Sequence, residues 1–271
     1  MNARVVLLFC LLASGAAAAP LRIPGITAPI REARLSANVP GTVLQVHVEE
    51  GDVVKEGDLL VELDQGFERL EVERRKLIAE SKAELEAAQH RVALLENEWE
   101  VTRRLFESTR SVSEEDRDRK ELEYKLARAD LKRLEALEQQ EEIEYNMAQE
   151  QLNRRRIRAP WDGVVTRIFV KEGEGCDPRQ PLVALVDPSR CEFVCNVPPA
   201  QARRLRVAGA VMLLVEDGDT PVERQGTVFY VSPVVDPASG LQEVKVRFDN
   251  NDGAVSPGVT AWLLLDHPEG S

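Results

Sequence analysis

The chain has 271 residues, room for one or two compact domains, and carries a formal net charge of −12 with a pI near 5.0. That balance excludes a nucleic-acid partner, which calls for a basic face. A hydrophobic content of 43% excludes wholesale disorder, and an aromatic content of only 5% suits long helices and thin β-modules better than a large globular core.

Residues 1–19 read as a signal peptide: Arg4 gives a positive start, Val5 to Leu12 a short apolar run, and Ser14 to Ala19 a tract of small residues with cleavage expected beside Ala18. The alternative, an uncleaved anchor, is disfavoured because a span needs about 20 apolar residues. Cys10 follows Phe9 and lacks a small-residue cleavage site, so a lipoprotein reading is weak. In the next segment, 20–38, Arg22 to Ile30 reads as a strand that would join the β-barrel expected at the far end of the chain.

Residues 39–65 read as strand, glycine turn, strand: Val43, Val46 and Val48 precede Gly51, and Leu59, Val61 and Leu63 alternate after Gly57. Residues 159–187 repeat that pattern. At an offset of 122 positions, the distance from Gly41 to Gly163, Val48 matches Val170, Glu50-Gly51 matches Glu172-Gly173, Leu60-Val61 matches Leu182-Val183, and Leu63 matches Leu185. Two such hairpins cannot each bury a face alone, so they are expected to pack together as a small sandwich.

Between them, neither glycine nor proline occurs from Phe67 to Ala159, which predicts continuous helix over the segment 66–158. Ile78, Leu85, Val92, Trp99 and Phe106 recur every seven residues, with Ala88 and Leu95 on the partner seam and Ser81 and Thr102 as weaker members. In the second half Leu122, Ala129, Ala136 and Ile143 repeat likewise beside Leu126 and Met147, with Arg133 and Gln140 interrupting. The polar stretch Ser108 to Ser113 predicts a turn. Ser113 with Asp116 resembles a capping box, Ser111 with Glu114 is the alternative, and Glu114, Glu115 and Asp116 suit the positive end of a new helix. Two arms, each about 60 Å long, would then lie antiparallel.

From 188 to 266, candidate strands at Cys191–Val197, Ala210–Val215, Gly226–Val231, Glu243–Phe248 and Thr260–Leu265 predict a small β-barrel, with Pro199 to Arg206 as one or two helical turns; 267–271 is a tail. Cys176, Cys191 and Cys195 read as small buried hydrophobes. Cys191 and Cys195, four apart on a strand, are about 13 Å from each other, too far to bond. His47, His90 and His267 are scattered, so no metal site is expected.

Val39-Pro40-Gly41-Thr42-Val43 with Val48 through Leu60, and the returning Ile157-Arg158-Ala159-Pro160-Trp161-Asp162-Gly163-Val164-Val165, resemble the two half-motifs of the periplasmic adaptor or membrane fusion protein family (HlyD-like and RND-type efflux adaptors). Gly226-Thr227-Val228, Val231 through Asp236, and Pro257-Gly258 are similar to the family's barrel. The resemblance implies an elongated α+β fold: a lipoyl-like β-sandwich, or barrel-sandwich hybrid, split by a long antiparallel α-helical coiled-coil hairpin and followed by a small β-barrel. It implies an adaptor, not an enzyme, in the periplasm, held at the inner membrane through its partners. Those partners would be an inner-membrane transporter of RND or ABC type and an outer-membrane channel, with copies of the chain forming a homo-oligomeric ring.

In the family the hairpin tip meets the channel through Arg, Leu and Ser. Here Val112-Ser113 resembles the serine end, Phe106 stands where leucine is usual, and the arginine position falls near Thr102, beside Arg103 and Arg104. The resemblance therefore assigns channel contact to Arg103, Arg104, Phe106, Val112 and Ser113. The sequence stops at Ser271, soon after the barrel, so transporter contact is expected from the barrel alone. Motion is expected at three junctions, near Gly66, Ala159 and Asp187-Pro188.

The rival classes are a lipoyl- or biotinyl-type carrier and a stand-alone structural coiled coil. A carrier needs a modifiable lysine on the tight hairpin that the helical insert replaces. No metalloprotease, serine-hydrolase or phosphate-loop motif is present. Abundant Glu and Asp read as solvated charge and i,i+4 partners, Trp161 and Trp262 as core aromatics, and Trp99 as a seam residue. No catalytic, cofactor or metal residue is expected.

Overall fold

The computed structural model describes residues 21–218 and 220–265. The signal segment 1–19, the tail 267–271 and His267 lie outside the described residues. In chain order the elements are β1 (Leu21–Ser36), β2 (Gly41–Val46), β3 (Val53–Val54), β4 (Leu59–Leu63), α1 (Gly66–Ala79), α2 (Ala83–Thr109), α3 (Glu114–Asn153) and β5 (Arg156–Arg158). They continue with β6 (Gly163–Ile168), β7 (Gly175–Cys176), β8 (Pro181–Val197), α4 (Pro199–Ala202), β9 (Ala210–Val215), β10 (Val222–Val231), β11 (Gln242–Asp249) and β12 (Thr260–Leu265).

The two β half-motifs build one sandwich by exchanging their short strands. β2 pairs with β7, Gly41 opposite Cys176 and Thr42 opposite Gly175, while β3 pairs with β6, Val54 opposite Gly163 and Val53 opposite Val164. These pairs interconvert under the 122-residue offset, so the repeat is a local twofold. The same symmetry explains the repeated Glu-Gly. Gly51 donates its N–H to the Val165 carbonyl and Gly173 to the Val43 carbonyl, each at 2.8 Å. Both glycines have positive φ, +100° and +84°, a conformation other residues enter at a cost. Glu50 Oε1 accepts from the Ile168 N–H at 3.0 Å and Glu172 Oε1 from the Val46 N–H at 3.2 Å. The turn carboxylate of each half thus caps the strand of the other. Val43, Leu60, Val61 and Leu63 meet Val165, Leu182, Val183 and Leu185 in a common core.

The barrel is six-stranded and closed, in the order β1-β12-β9-β10-β11-β8, with β1 and β8 pairing to close it. Cys191, Phe193 and Cys195 of β8 face its core with Leu213, Val246 and Leu263. All three described cysteines are free and buried, and burial pushes the Cys191 thiol up to about 11 and that of Cys195 to about 12.

Four expectations need correction. Sandwich and barrel do not separate at a mobile junction between 187 and 188: β8 runs unbroken from sandwich to barrel, accompanied by β1. Pro188 is tolerated because the β1–β8 register shifts between Pro29 and Arg31, where no ladder N–H is required of it. Asn250 locks the same junction. Its Nδ2 donates to the carbonyls of Pro188 at 3.0 Å and Val255 at 2.8 Å, and its Oδ1 accepts from the Val255 N–H. The Asp187-Pro188 junction is therefore a tied crossing.

Helix does not extend to 158. It ends at Asn153, and Arg156–Arg158 pairs with β4, placing Ile157 and Ala159 in the sandwich core. Nor is the first arm continuous: it breaks at Glu80-Ser81-Lys82, between α1 and α2. Serine favours local hydrogen bonding over helix continuation, and the Arg75–Glu144 and Lys82–Glu138 ion pairs hold α3 beside the break.

The fourth correction is the register of the second arm. On the first arm, Ile78, Leu85, Ala88, Val92, Leu95, Trp99, Thr102 and Phe106 are half-buried, as the heptads predict, whereas Ser81, expected as a weaker member, is exposed at the break. On α3 the buried residues are Ala127, Leu134 and Ala148, with half-buried Tyr124, Leu131 and Leu152 on the same seam. Leu122, Leu126, Ala129, Ala136, Ile143 and Met147 lie outward. The inner seam of α3 includes polar residues, Lys120, Glu138 and Glu141 among them, so the cleaner apolar heptad in the sequence belongs to the exposed face.

Candidate functional site

The hairpin ends in a four-residue turn, Arg110–Ser113. Arg110 closes α2 in the left-handed region, φ 52°. Ser113 opens α3: its Oγ accepts from the Asp116 N–H at 3.1 Å and donates to Asp116 Oδ2 at 2.7 Å. That hydroxyl, joined by Arg119, holds the Asp116 carboxyl below the usual carboxylate range.

Behind the turn the arms are clasped by side chains. Trp99 and Tyr124 stack with centroids 5.3 Å apart, and Tyr124 donates to Glu96 at 2.9 Å. Lys120 bridges Glu98 and Glu123 at 2.8 and 3.0 Å, and the Arg117 guanidinium covers the Phe106 ring at 4.6 Å.

The five residues assigned to the tip divide into two groups. Phe106, under Arg117, and Val112, in the turn, are half-buried, and Ser113 is spent on the cap. Arg103 and Arg104 are exposed. Arg103 lies over Trp99 at 4.9 Å, and Arg104 Nε donates to the Glu100 carbonyl at 3.4 Å. The exposed apolar side chains next to them, Val101 and Leu105, were not singled out in the sequence. Their signal was present: with Leu94 they form a seven-then-four spacing one position off the seam.

Two other surfaces matter. Leu94 and Leu126 floor a groove of about 420 Å³ between α2 and α3, edged by Arg91, Glu123 and Asp130. An open cleft of about 540 Å³ separates sandwich from barrel, lined by Arg31, Trp161, Asp162, Asp187, Arg190 and Asn250. Trp161 packs against the sandwich core with the Arg31 guanidinium 5.7 Å from its ring centroid. Among the described residues no cluster of His, Cys, Asp and Glu is placed to hold a metal, and no helix is long and apolar enough to cross a membrane.

Residues 31–188 match the family model described as the RND MFP (membrane fusion protein) barrel-sandwich hybrid domain. The chain is 31% identical over 239 residues to the nodulation protein NolF of Rhizobium meliloti, covering 88% of this chain and 61% of NolF. It is 27% identical over 240 residues to the multidrug resistance protein MdtA of Escherichia coli, covering 85% of this chain and 54% of MdtA. The chain thus spans between half and two thirds of the length of these relatives. The crystal structure of MacA from Actinobacillus actinomycetemcomitans superposes with a TM-score of 0.72 at 20% identity, over 91% of this chain and 78% of MacA.

Proposed function

The chain belongs to the RND-type membrane fusion protein family, whose members are non-enzymatic adaptors, and from that premise we propose that it is a periplasmic adaptor linking an inner-membrane transporter to an outer-membrane channel. The observation that carries this reading is the exchange of β-strands between residues 41–64 and 163–186 around the inserted hairpin. It makes the sandwich a firm socket from which a rod projects, with the barrel continuing the same β1–β8 ribbon on the other side. A stiff spacer with docking surfaces at its two ends is what bridging two membranes requires.

Partner contact at the channel end falls to Arg103 and Arg104 with exposed Val101 and Leu105. Phe106, Val112 and Ser113 act by holding the tip in shape. The outward heptad of α3, Leu122, Leu126, Ala129, Ala136, Ile143 and Met147, supports packing against a neighbouring copy in a ring. Bending in this reading belongs to Glu80–Lys82 rather than to the tied crossing at Asp187-Pro188.

Affinity purification of the protein from membranes tests the reading. An inner-membrane transporter and an outer-membrane channel should co-purify, and deletion should raise sensitivity to exported compounds. Recovery of folded, abundant protein with neither partner overturns it. An Arg103→Glu/Arg104→Glu variant should lose the channel and retain the transporter.

A further inference from the structure

The end of the barrel far from the sandwich carries a cationic and apolar rim. Strand pairing places its parts together: Val197 lies opposite Gln242, Ala210 opposite Thr227, Met212 opposite Leu264, and Leu21 opposite Leu265. The segment after α4 and the β10–β11 loop therefore share one end. Ala202 and Leu205 plug into the barrel core, which leaves Arg203, Arg204, Arg206 and Val207 on the outside, Val207 64% exposed. The β10–β11 loop presents Val234, 67% exposed, and Val235. It is held stiffly: Asp236 accepts from the Ala238 and Ser239 N–H groups, and Gln242 Nε2 donates to the Ser232 carbonyl at 3.0 Å. Of the acidic side chains described at this end, Asp236 is engaged in that loop and Glu243 lies 3.2 Å from Lys245.

We propose that this rim rests directly on an anionic phospholipid surface, the arginines over headgroups and the valines in the interfacial layer. On a chain with a net charge of −12, Arg203 and Arg206, both exposed and three positions apart, are a local reversal of sign. The most exposed apolar residues of the rim, Val207 and Val234, are aliphatic and lie on two separate loops. That composition suits a lipid interface, whereas protein hot spots favour buried aromatics in a continuous patch.

The excess acidic charge of residues 66–153, 23 acidic against 16 basic side chains, lies beyond the sandwich.

The proposal uses the adaptor reading only to orient the barrel toward the inner membrane, and its vesicle assay needs neither transporter nor channel. Purified protein is sedimented with vesicles of phosphatidylcholine alone and of phosphatidylcholine mixed with phosphatidylglycerol. Binding should appear only with the anionic mixture and weaken as salt is raised. Arg203→Glu/Arg206→Glu should reduce it by more than about twentyfold, since each basic residue near such a surface is worth about fivefold. Val207→Asp/Val234→Asp should cause a smaller fall at unchanged circular dichroism. Equal binding to both vesicle types, binding to neither, or undiminished binding by the arginine variant overturns the proposal. Transporter capture in detergent lost by the same variant, without vesicle binding, assigns the rim to a protein instead.

Discussion

The β-body and the hairpin use apolar side chains differently. In the sandwich Leu60, Leu63, Leu182 and Leu185 are completely buried, and in the barrel so are Phe193, Leu213 and Leu263. Along residues 66–153 only Ala127, Leu134 and Ala148 are buried among the described residues. The body is held by two packed cores. The hairpin is held by a one-layer seam, a stacked aromatic pair, and solvent-screened ion pairs such as Lys120–Glu98 and Lys82–Glu138. A rod built so thinly can spend its remaining apolar residues on its outer surface.

The largest effects should come from the body. Leu185→Ala removes a side chain from a core that cannot collapse and should cost about 2–5 kcal/mol in urea unfolding. Leu134→Ala, in a seam whose two helices can close on the gap, should cost less than half as much. Equal losses would erase the distinction between core and seam. Asn250→Ala comes next. It leaves the Pro188 and Val255 carbonyls and the Val255 N–H without their partner, at a cost of about 2–3 kcal/mol. Hydrogen exchange should show the loss at the sandwich–barrel crossing. If only the barrel loop loosens, the crossing is not tied there.

A smaller effect is expected at the tip. Ser113→Ala deletes the α3 cap and should cost about 1 kcal/mol, read as faster amide exchange in residues 114–117. It also carries a pH signature. Asp116 titrates below its ordinary value in the folded chain because it is hydrogen-bonded to Ser113 and faces Arg119. The associated stability is present above the unfolded value and lost as pH falls through the lower folded one. Ser113→Ala should move the Asp116 titration, followed by carboxyl NMR, up toward the ordinary range. An unmoved titration would show that Arg119 alone sets it.

The sequence was legible where local chemistry and tertiary contact agree. The 122-residue repeat marked the sandwich because Glu50-Gly51 and Glu172-Gly173 do the same job twice. The heptads of α2 marked its seam because they have no competitor as regular on that helix. Ser113 with Asp116 marked the turn by spacing alone. Three features were hidden for physical reasons. β5 is three residues, Arg-Ile-Arg, following a helix-compatible Asn153-Arg154-Arg155, and becomes a strand through pairing with β4. Pro188 looked like a boundary, and only the register shift opposite it makes a continuous strand allowable. The α3 seam was displaced because its polar members are satisfied by partners on the other arm, which periodicity cannot see. Among the tip residues, Arg103 over Trp99 follows from a four-residue spacing, whereas Arg117 over Phe106 is a contact between helices.

The smallest expected effect is also the one that separates seam from surface most sharply. Leu122→Ala/Leu126→Ala alters two leucines that a sequence reading places inside and the structure places outside, Leu126 at 62% exposure. Exposed substitutions of this kind change stability by no more than about 0.5 kcal/mol, and alanine is the better helix former. The isolated chain should therefore melt at an unchanged temperature. If the outward heptad packs against a neighbouring copy, the same variant should shift sedimentation toward the monomer and weaken cross-linking between adjacent chains. A clear drop in melting temperature at high dilution would mean that these leucines pack within the chain and that the heptad read from the sequence is the true seam. Unchanged melting with unchanged association would leave the stripe bare and remove the support it gives to a ring.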